Sequence, residues 1–82
     1  MSNPEELKLK RHEYMKHLYE LTDGNPTIEV NEATITRELG LPDEESESIY
    51  YYLEMKGLIE STAIGGLIAI TDLGIDMVEN TT

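Results

Sequence analysis

Glycine and proline break this chain of 82 residues into short pieces, which limits what it can fold into. The breaks fall at Asp23-Gly24-Asn25-Pro26, Gly40-Leu41-Pro42, Gly57 and Gly65-Gly66. Glycine and proline commonly mark turns, so each break is expected to separate two elements of secondary structure. No piece contains the run of about 18 apolar residues that a membrane span needs. We therefore expect one small domain over residues 1–82, with no membrane segment.

The first piece predicts an amphipathic helix over about residues 5–22. Pro4 suits the first turn of a helix, and the acidic Glu5 and Glu6 oppose the positive end of its dipole. Gly24 is expected to end the helix in a left-handed cap. The apolar residues share one helical face: Leu7, Tyr14, Met15, Leu18 and Leu21.

The middle of the chain predicts two further helices separated by a tight turn. Asn31 suits the N-cap of a short helix that carries Ile35 and Leu39 and ends at Gly40. Because proline pushes the residue before it out of the helical region, Leu41-Pro42 is expected to be an extended turn. A third helix is then expected over about Asp43–Lys56, with Ile49, Tyr50 and Leu53 on its apolar side.

Three short stretches are typical of β-strands. Thr27–Val30 is β-prone and is expected to form a small strand before the second helix. Leu58–Ser61 and Leu67–Ile70 are separated by a loop that ends in Gly65-Gly66, which predicts a hairpin.

A last helix is expected to begin at Thr71 or Asp72, either of which can cap it, and to run to about Glu79. Leu73 and Ile75 lie off its predicted inward face. They indicate either a contact with a second chain or burial against the first helix, and we expect the dimer contact. The inward face consists of Gly74, Met77 and Val78.

Three motifs in this order resemble the winged helix-turn-helix superfamily of transcription regulators. They are Ile35-x-x-x-Leu39-Gly40-Leu41, Leu53-Glu54-Met55-Lys56-Gly57-Leu58-Ile59 and Ile70-Thr71-x-x-Gly74. The resemblance covers about residues 5–79. It implies an α+β fold with a three-helix core, a two-stranded β-hairpin wing and a C-terminal helix.

The resemblance also implies that the third helix enters the major groove of DNA and that the wing assists it. This sequence departs from that pattern, because no lysine or arginine occurs in the wing, residues 61–66. The outward side of the third helix carries Glu44, Glu45, Glu47, Ser48 and Tyr51. These acids are also what a solvated helix opening requires. The residues that remain as candidates for nucleic-acid contact are Lys8, Lys10, Arg11, Lys16, Ser48 and Lys56.

The distribution of charge argues against a polyanionic partner. Residues 1–17 hold four bases against three acids, whereas residues 18–82 hold two bases against 14 acids, within a net charge of −11. Most of the molecule should therefore repel duplex DNA, and only the first helix offers local attraction.

Three consecutive tyrosines in the third helix also bear on function. Successive helical residues point about 100° apart, so Tyr50, Tyr51 and Tyr52 cannot all be buried. Tyr50, three residues before Leu53, is the expected core member. At least one of Tyr51 and Tyr52 is expected to be exposed, either for a protein interface or partly shielded by the first helix.

Chemistry-bearing motifs are scarce. The chain has no cysteine, which removes disulfides, thiolate nucleophiles and zinc–thiolate sites. His17 is well spaced with Glu13 but not with His12, and two ligands do not make a metal site. We therefore expect a non-enzyme with no metal or cofactor. Because no basic-then-apolar signal opens the chain, we expect a cytoplasmic location.

Three functions are compatible with this sequence. The first is a regulatory winged-helix module that works mainly through protein contacts, as a homodimer or with another partner. The second is a direct DNA-binding regulator that uses the first helix, the third helix and the wing. The third is a structural subunit that bridges larger proteins. The acidic third helix and the wing without basic residues favour the first.

Overall fold

The structure, a computed structural model, describes residues 3–62 and 65–81. Over those residues the chain is an α+β domain of four helices and one antiparallel three-stranded sheet, which confirms the predicted class and order of elements. The helices are α1 (Pro4–Thr22), α2 (Glu32–Leu39), α3 (Asp43–Met55) and α4 (Asp72–Thr81), and the strands are β1 (Val30–Asn31), β2 (Ile59–Ser61) and β3 (Leu67–Ile70).

The predicted caps of α2 are confirmed, and that of α1 differs slightly. The Asn31 side chain accepts a hydrogen bond from the Ala33 backbone N–H at 2.9 Å, and Gly40 closes α2 with a φ of 66°. At the end of α1 the predicted Gly24 is left-handed, with a φ of 67°, but the left-handed turn already begins at the cap residue Asp23, with a φ of 56°. Aspartate tolerates this conformation better than most residues, so the chain turns one position earlier.

The sheet has one strand more than the predicted two-stranded hairpin. β3 lies in the centre, with β2 on one side and β1 on the other, and Val30 pairs with Ile68. The first strand also starts later than predicted, because the Asn25 side chain accepts hydrogen bonds from the backbone and hydroxyl of Thr27 and holds that segment in a turn. Two residues of the predicted wing, Ala63 and Ile64, lie outside the described residues.

The core lies between α1 and the sheet, closed by the other three helices. Along α1 the fully buried positions Tyr14, Leu18 and Thr22 recur every four residues. The last turn buries Thr22, whose hydroxyl donates to the Leu18 carbonyl at 2.9 Å, and not the predicted Leu21, which is 39% exposed. The large buried apolar residues are Tyr14, Met15, Leu18, Ile35, Ile49, Leu53, Ile59, Ile68, Ile70 and Val78.

Thr71 joins the end of α3 to the start of α4. Its hydroxyl donates to the Gly57 carbonyl at 2.6 Å and accepts from the Gly74 backbone N–H at 3.1 Å. The second bond is the N-cap interaction expected at this position. One side chain therefore fixes the angle at which α4 leaves the sheet.

We expect Thr71→Ala to lower the free energy of unfolding by about 1 kcal/mol, because the cap of α4 and the bond to Gly57 are both lost. Thr71→Ser keeps the hydroxyl and should lie close to the native protein. Urea unfolding of the three proteins measures the difference. Equal stability of the alanine and serine variants would show that the cap contributes nothing.

Candidate functional site

The exposed side of α3 carries acids and no basic residue. Glu44, Glu47 and Ser48 are exposed near its start, as predicted, and Asp43 is exposed beside them. The N-cap residue, Pro42, has no side-chain cap bond, so the acids of the first turn are what complement the helix dipole. The predicted outward position of Glu45 is wrong, because this side chain turns toward α1 and is half-buried.

Glu45 turns because Lys10 of α1 lies opposite it. The Lys10 ammonium donates a hydrogen bond to Glu45 Oε1 and lies 3.4 Å from Glu6 Oε1. The bond to Glu45 is the main reason why the pKa of Lys10 is raised. Lys10 was a candidate for phosphate contact, but its charge is already matched by two carboxylates.

Arg11 and Lys56 share one aromatic partner. The Arg11 guanidinium carbon lies 3.7 Å from the centre of the Tyr52 ring, and the Lys56 ammonium lies 5.6 Å from it. The Arg11 Nε is buried and, within the part of the chain that the structure describes, has no hydrogen-bond partner. Tyr52 is accordingly half-buried under α1, which is the shielded alternative for this tyrosine.

Tyr51 is the exposed member of the tyrosine run, which confirms that at least one of Tyr51 and Tyr52 is accessible. Its side chain is 58% exposed and meets Tyr50 edge to face, with ring centres 5.4 Å apart. Tyr50 is half-buried, packs against the core and donates to Glu54 Oε2 at 3.3 Å. A second donor, the Ser61 hydroxyl, reaches the same oxygen at 2.6 Å.

The two candidate residues of α4 have different surroundings. Leu73 is 56% exposed, whereas Ile75 is half-buried and packs against the core. Part of the apolar surplus of this helix is therefore used internally. Met55, at the end of α3, is 76% exposed, and its exposure was not predicted from the sequence.

A groove of about 750 Å³ lies between α1, the end of α3 and α4, and we call it the α1–α4 groove. Leu58, Leu73 and Met77 supply apolar walls. Sequence reasoning named Lys8, Arg11, Lys56 and Leu73 separately and missed that they meet. The spacing of Lys8 and Arg11, three residues apart on one helix, was the only local signal. The polar residues at the groove include Lys8, Arg11, His12, Lys56 and Asp76.

A second hollow, of about 600 Å³, lies between α2 and α3 and is acidic. Glu32 lies in it, and partial burial together with the charges of Glu47 and Glu54 raises the pKa of Glu32. Tyr50 and Tyr51 form part of its wall. The molecule thus has an acidic hollow beside α2 and a groove with a basic rim beside α1.

The histidines do not gather metal ligands. His17 Nε2 lies 2.6 Å from Glu38 Oε1 of α2, so its partner is not Glu13, with which its spacing in the sequence pairs it. His12 Nε2 lies 2.9 Å from the Thr81 hydroxyl. Over residues 3–62 and 65–81, no three His, Cys, Asp or Glu side chains are placed to hold a metal ion.

Comparison of the chain with protein-family models, curated proteins and solved structures finds no match. Among the described helices, none is both long and apolar enough to cross a membrane.

Proposed function

We propose that this chain is a non-catalytic regulatory module of winged-helix type that acts mainly through protein contacts. The order of its elements supports the proposal, because α2 and α3 joined by a short turn, followed by a hairpin and a helix, is the arrangement that the sequence resemblance implies. In that arrangement α3 is the helix expected to read a partner.

One observation carries the choice of protein over DNA: the exposed face of α3 is acidic. Asp43, Glu44 and Glu47 lie on the helix that would enter the major groove. Lys56, just beyond the far end, lies with Tyr52 at the α1–α4 groove and not among these acids. Phosphate contacts supply most of the affinity of non-specific DNA binding, and this face would repel them.

The exposed apolar groups support the same proposal. Tyr51, Met55 and Leu73 are each more than half exposed, on α3 and α4. Large aromatic, methionine and leucine side chains in water cost free energy, and aromatic residues and methionine are enriched in protein interfaces. A second copy of the chain or a different protein can cover them.

Direct DNA binding is tested by titrating the ¹⁵N-labelled protein with a mixed-sequence duplex at low and then moderate salt. We expect amide shifts near the exposed Lys8 and Lys16 that disappear as salt is added, because such contacts are few and electrostatic. Shifts on α3 and the hairpin that persist at moderate salt would overturn the proposal.

A charge-reversal variant provides the matched control. Glu44→Lys with Glu47→Lys should create DNA affinity on α3, with a salt dependence of log K that steepens by about 0.9 for each phosphate that the new lysines neutralise. If this variant binds no better than the native protein, the acids are not what excludes the duplex.

A further inference from the structure

We propose that the α1–α4 groove docks an acidic segment of a partner protein, with a large apolar side chain against its walls and carboxylates at its rim. This inference rests on the proposed function, since it names the chemistry of the protein partner. It concerns the groove formed by α1, α4 and the end of α3 and does not involve the outward face of α3.

The interior of the groove suits an apolar side chain. Leu58 and Met77 are half-buried in its wall. Leu73 remains 56% exposed, although its Cδ2 lies 3.9 Å from the place that a Cβ on Gly57 would occupy. An apolar surface of this kind in water favours the burial of a complementary group. A volume of about 750 Å³ accommodates one or two large side chains of a partner.

The rim supplies the charge complementarity. Three of the six basic residues of the chain lie at this groove, namely Lys8, Arg11 and Lys56, against one acid, Asp76. Among the residues described, none of the three bases has a carboxylate within 4.0 Å, unlike Lys10. The groove is therefore a local basic site on a molecule whose net charge is −11.

Arg11 is the anchor of this rim. Its guanidinium carbon lies over the Tyr52 ring, 3.7 Å from the ring centre, so the side chain is positioned before any partner arrives. A planar guanidinium can hold a carboxylate through two parallel hydrogen bonds. Because less side-chain freedom is lost on binding, a pre-positioned arginine contributes more to affinity than a mobile one.

Charge also separates this partner from the alternatives. A two-fold pairing of two grooves would bring the rim of Lys8, Arg11 and Lys56 against its own copy, with only Asp76 to offset the repulsion. A DNA duplex is long and would pass from the groove over surfaces that are acidic. A short acidic segment satisfies the rim and the apolar walls together.

The test is selection of peptides from a random display library on the intact protein, followed by mapping of the selected peptides on ¹⁵N-labelled protein. We expect the enriched peptides to carry net negative charge and at least one large apolar residue. Their amide shifts should fall on the first half of α1, the end of α3 and α4. Enriched peptides that are basic, or that shift the acidic hollow, overturn the groove while leaving a protein-contact function in place.

Two double variants with the same change in net charge distinguish an effect of the basic residues at the groove from an effect of the net charge of the protein. The double variant Lys8→Glu, Lys56→Glu should weaken binding of the selected peptides at least tenfold. The double variant Lys16→Glu, Arg37→Glu changes the net charge equally and should weaken their binding by less than about threefold. All four side chains are exposed, so folding should be retained. Equal weakening by both pairs would show that the groove is not the site.

Two further outcomes contradict the inference. If no peptide is enriched, an acidic segment is excluded as the occupant. If the amide shifts of the groove residues depend on protein concentration alone, the occupant is a second copy of the chain and not an acidic segment. Duplex shifts on α3, from the titration above, would instead remove the proposed function. The two failures are therefore distinguished by which residues respond and to which probe.

Discussion

Replacement of Gly74 by alanine is expected to destabilise the domain by about 3 kcal/mol. A Cβ at Gly74 would lie 2.9 Å from Met15 Cε and 3.0 Å from Ile70 Cγ1, and closer still to the carbonyl oxygen of Leu58. That oxygen is fixed, because it accepts the backbone N–H of Thr71 at 3.2 Å. Overpacking of this kind forces backbone shifts and costs more than the gain of about 1 kcal/mol that alanine brings inside a helix.

Urea unfolding measures the effect, and Gly65→Ala is its control. Among the described residues, a Cβ at Gly65 meets nothing within 4 Å, so this variant should have nearly native stability. A stable Gly74→Ala protein would mean that α4 can move away from the Leu58 carbonyl at little cost. The lack of room for a Cβ would then not be the reason why glycine stands at position 74, three residues after Thr71 in the third sequence motif.

The elements of this fold are largely predictable because their ends are set locally. Asn31 caps α2 through its own side chain, and Gly40 and Gly57 take the positive φ that ends a helix or turn. Such signals act over a few residues and can be read from the chain. The pairing of β1 is different: the β-prone residues Thr27–Val30 predict a strand there, but only the folded chain brings Val30 and Asn31 against Ile68 and Leu67. Nothing near residue 30 specifies that partner.

The sequence predicted single residues of the candidate site but not the contacts that bring them together. The exposure of Tyr51 follows from helical geometry, and the structure confirms it. The pairing of Lys10 with Glu45 joins residues 35 positions apart in sequence, and that of His17 with Glu38 joins residues 21 apart. The spacing of four residues on one helix predicted Glu13 as the partner of His17 instead. Contacts between elements depend on how α1 crosses its neighbours, which the sequence pattern alone does not give.

These tertiary pairs change the meaning of the charges. On the sequence, α1 is a row of equivalent cations, but in the structure Lys10 is neutralised and Arg11 is held by Tyr52. Lys8 and Lys16 remain exposed on different parts of the helix. The basic character of α1 is thus concentrated at the α1–α4 groove, and this is why we assign the groove to an acidic protein segment and not to a duplex.

Tyr14→Phe is expected to stabilise the domain, with an advantage that grows in alkaline solution. Tyr14 is fully buried, and in the described part of the chain its hydroxyl has no hydrogen-bond partner. Removing a buried, unpaired hydroxyl should add about 1 kcal/mol to the free energy of unfolding at pH 7. Burial, with smaller contributions from Glu32 and Tyr50, also holds the pKa of Tyr14 far above its ordinary value.

The pH dependence follows from that pKa. Above about pH 10 the unfolded chain loses the Tyr14 proton while the folded chain keeps it, so the native protein loses stability as the pH rises. The Tyr14→Phe variant lacks this loss, and the difference in stability should widen by about 1.4 kcal/mol for each pH unit above 10. Tyr19 and Tyr50, whose pKa values are also raised, are present in both proteins and cancel.

Tyr51→Phe is the matched control, because Tyr51 is 58% exposed whereas Tyr14 is fully buried. Urea unfolding at pH 7, 9, 10 and 11 should give the Tyr51 variant the same pH profile as the native protein. Parallel profiles for Tyr14→Phe and the native protein would contradict the argument, since they require that the Tyr14 hydroxyl ionises as readily in the core as in water. If the difference in the free energy of unfolding between Tyr14→Phe and the native protein widens with pH, the Tyr14 hydroxyl must stay protonated for this core to form.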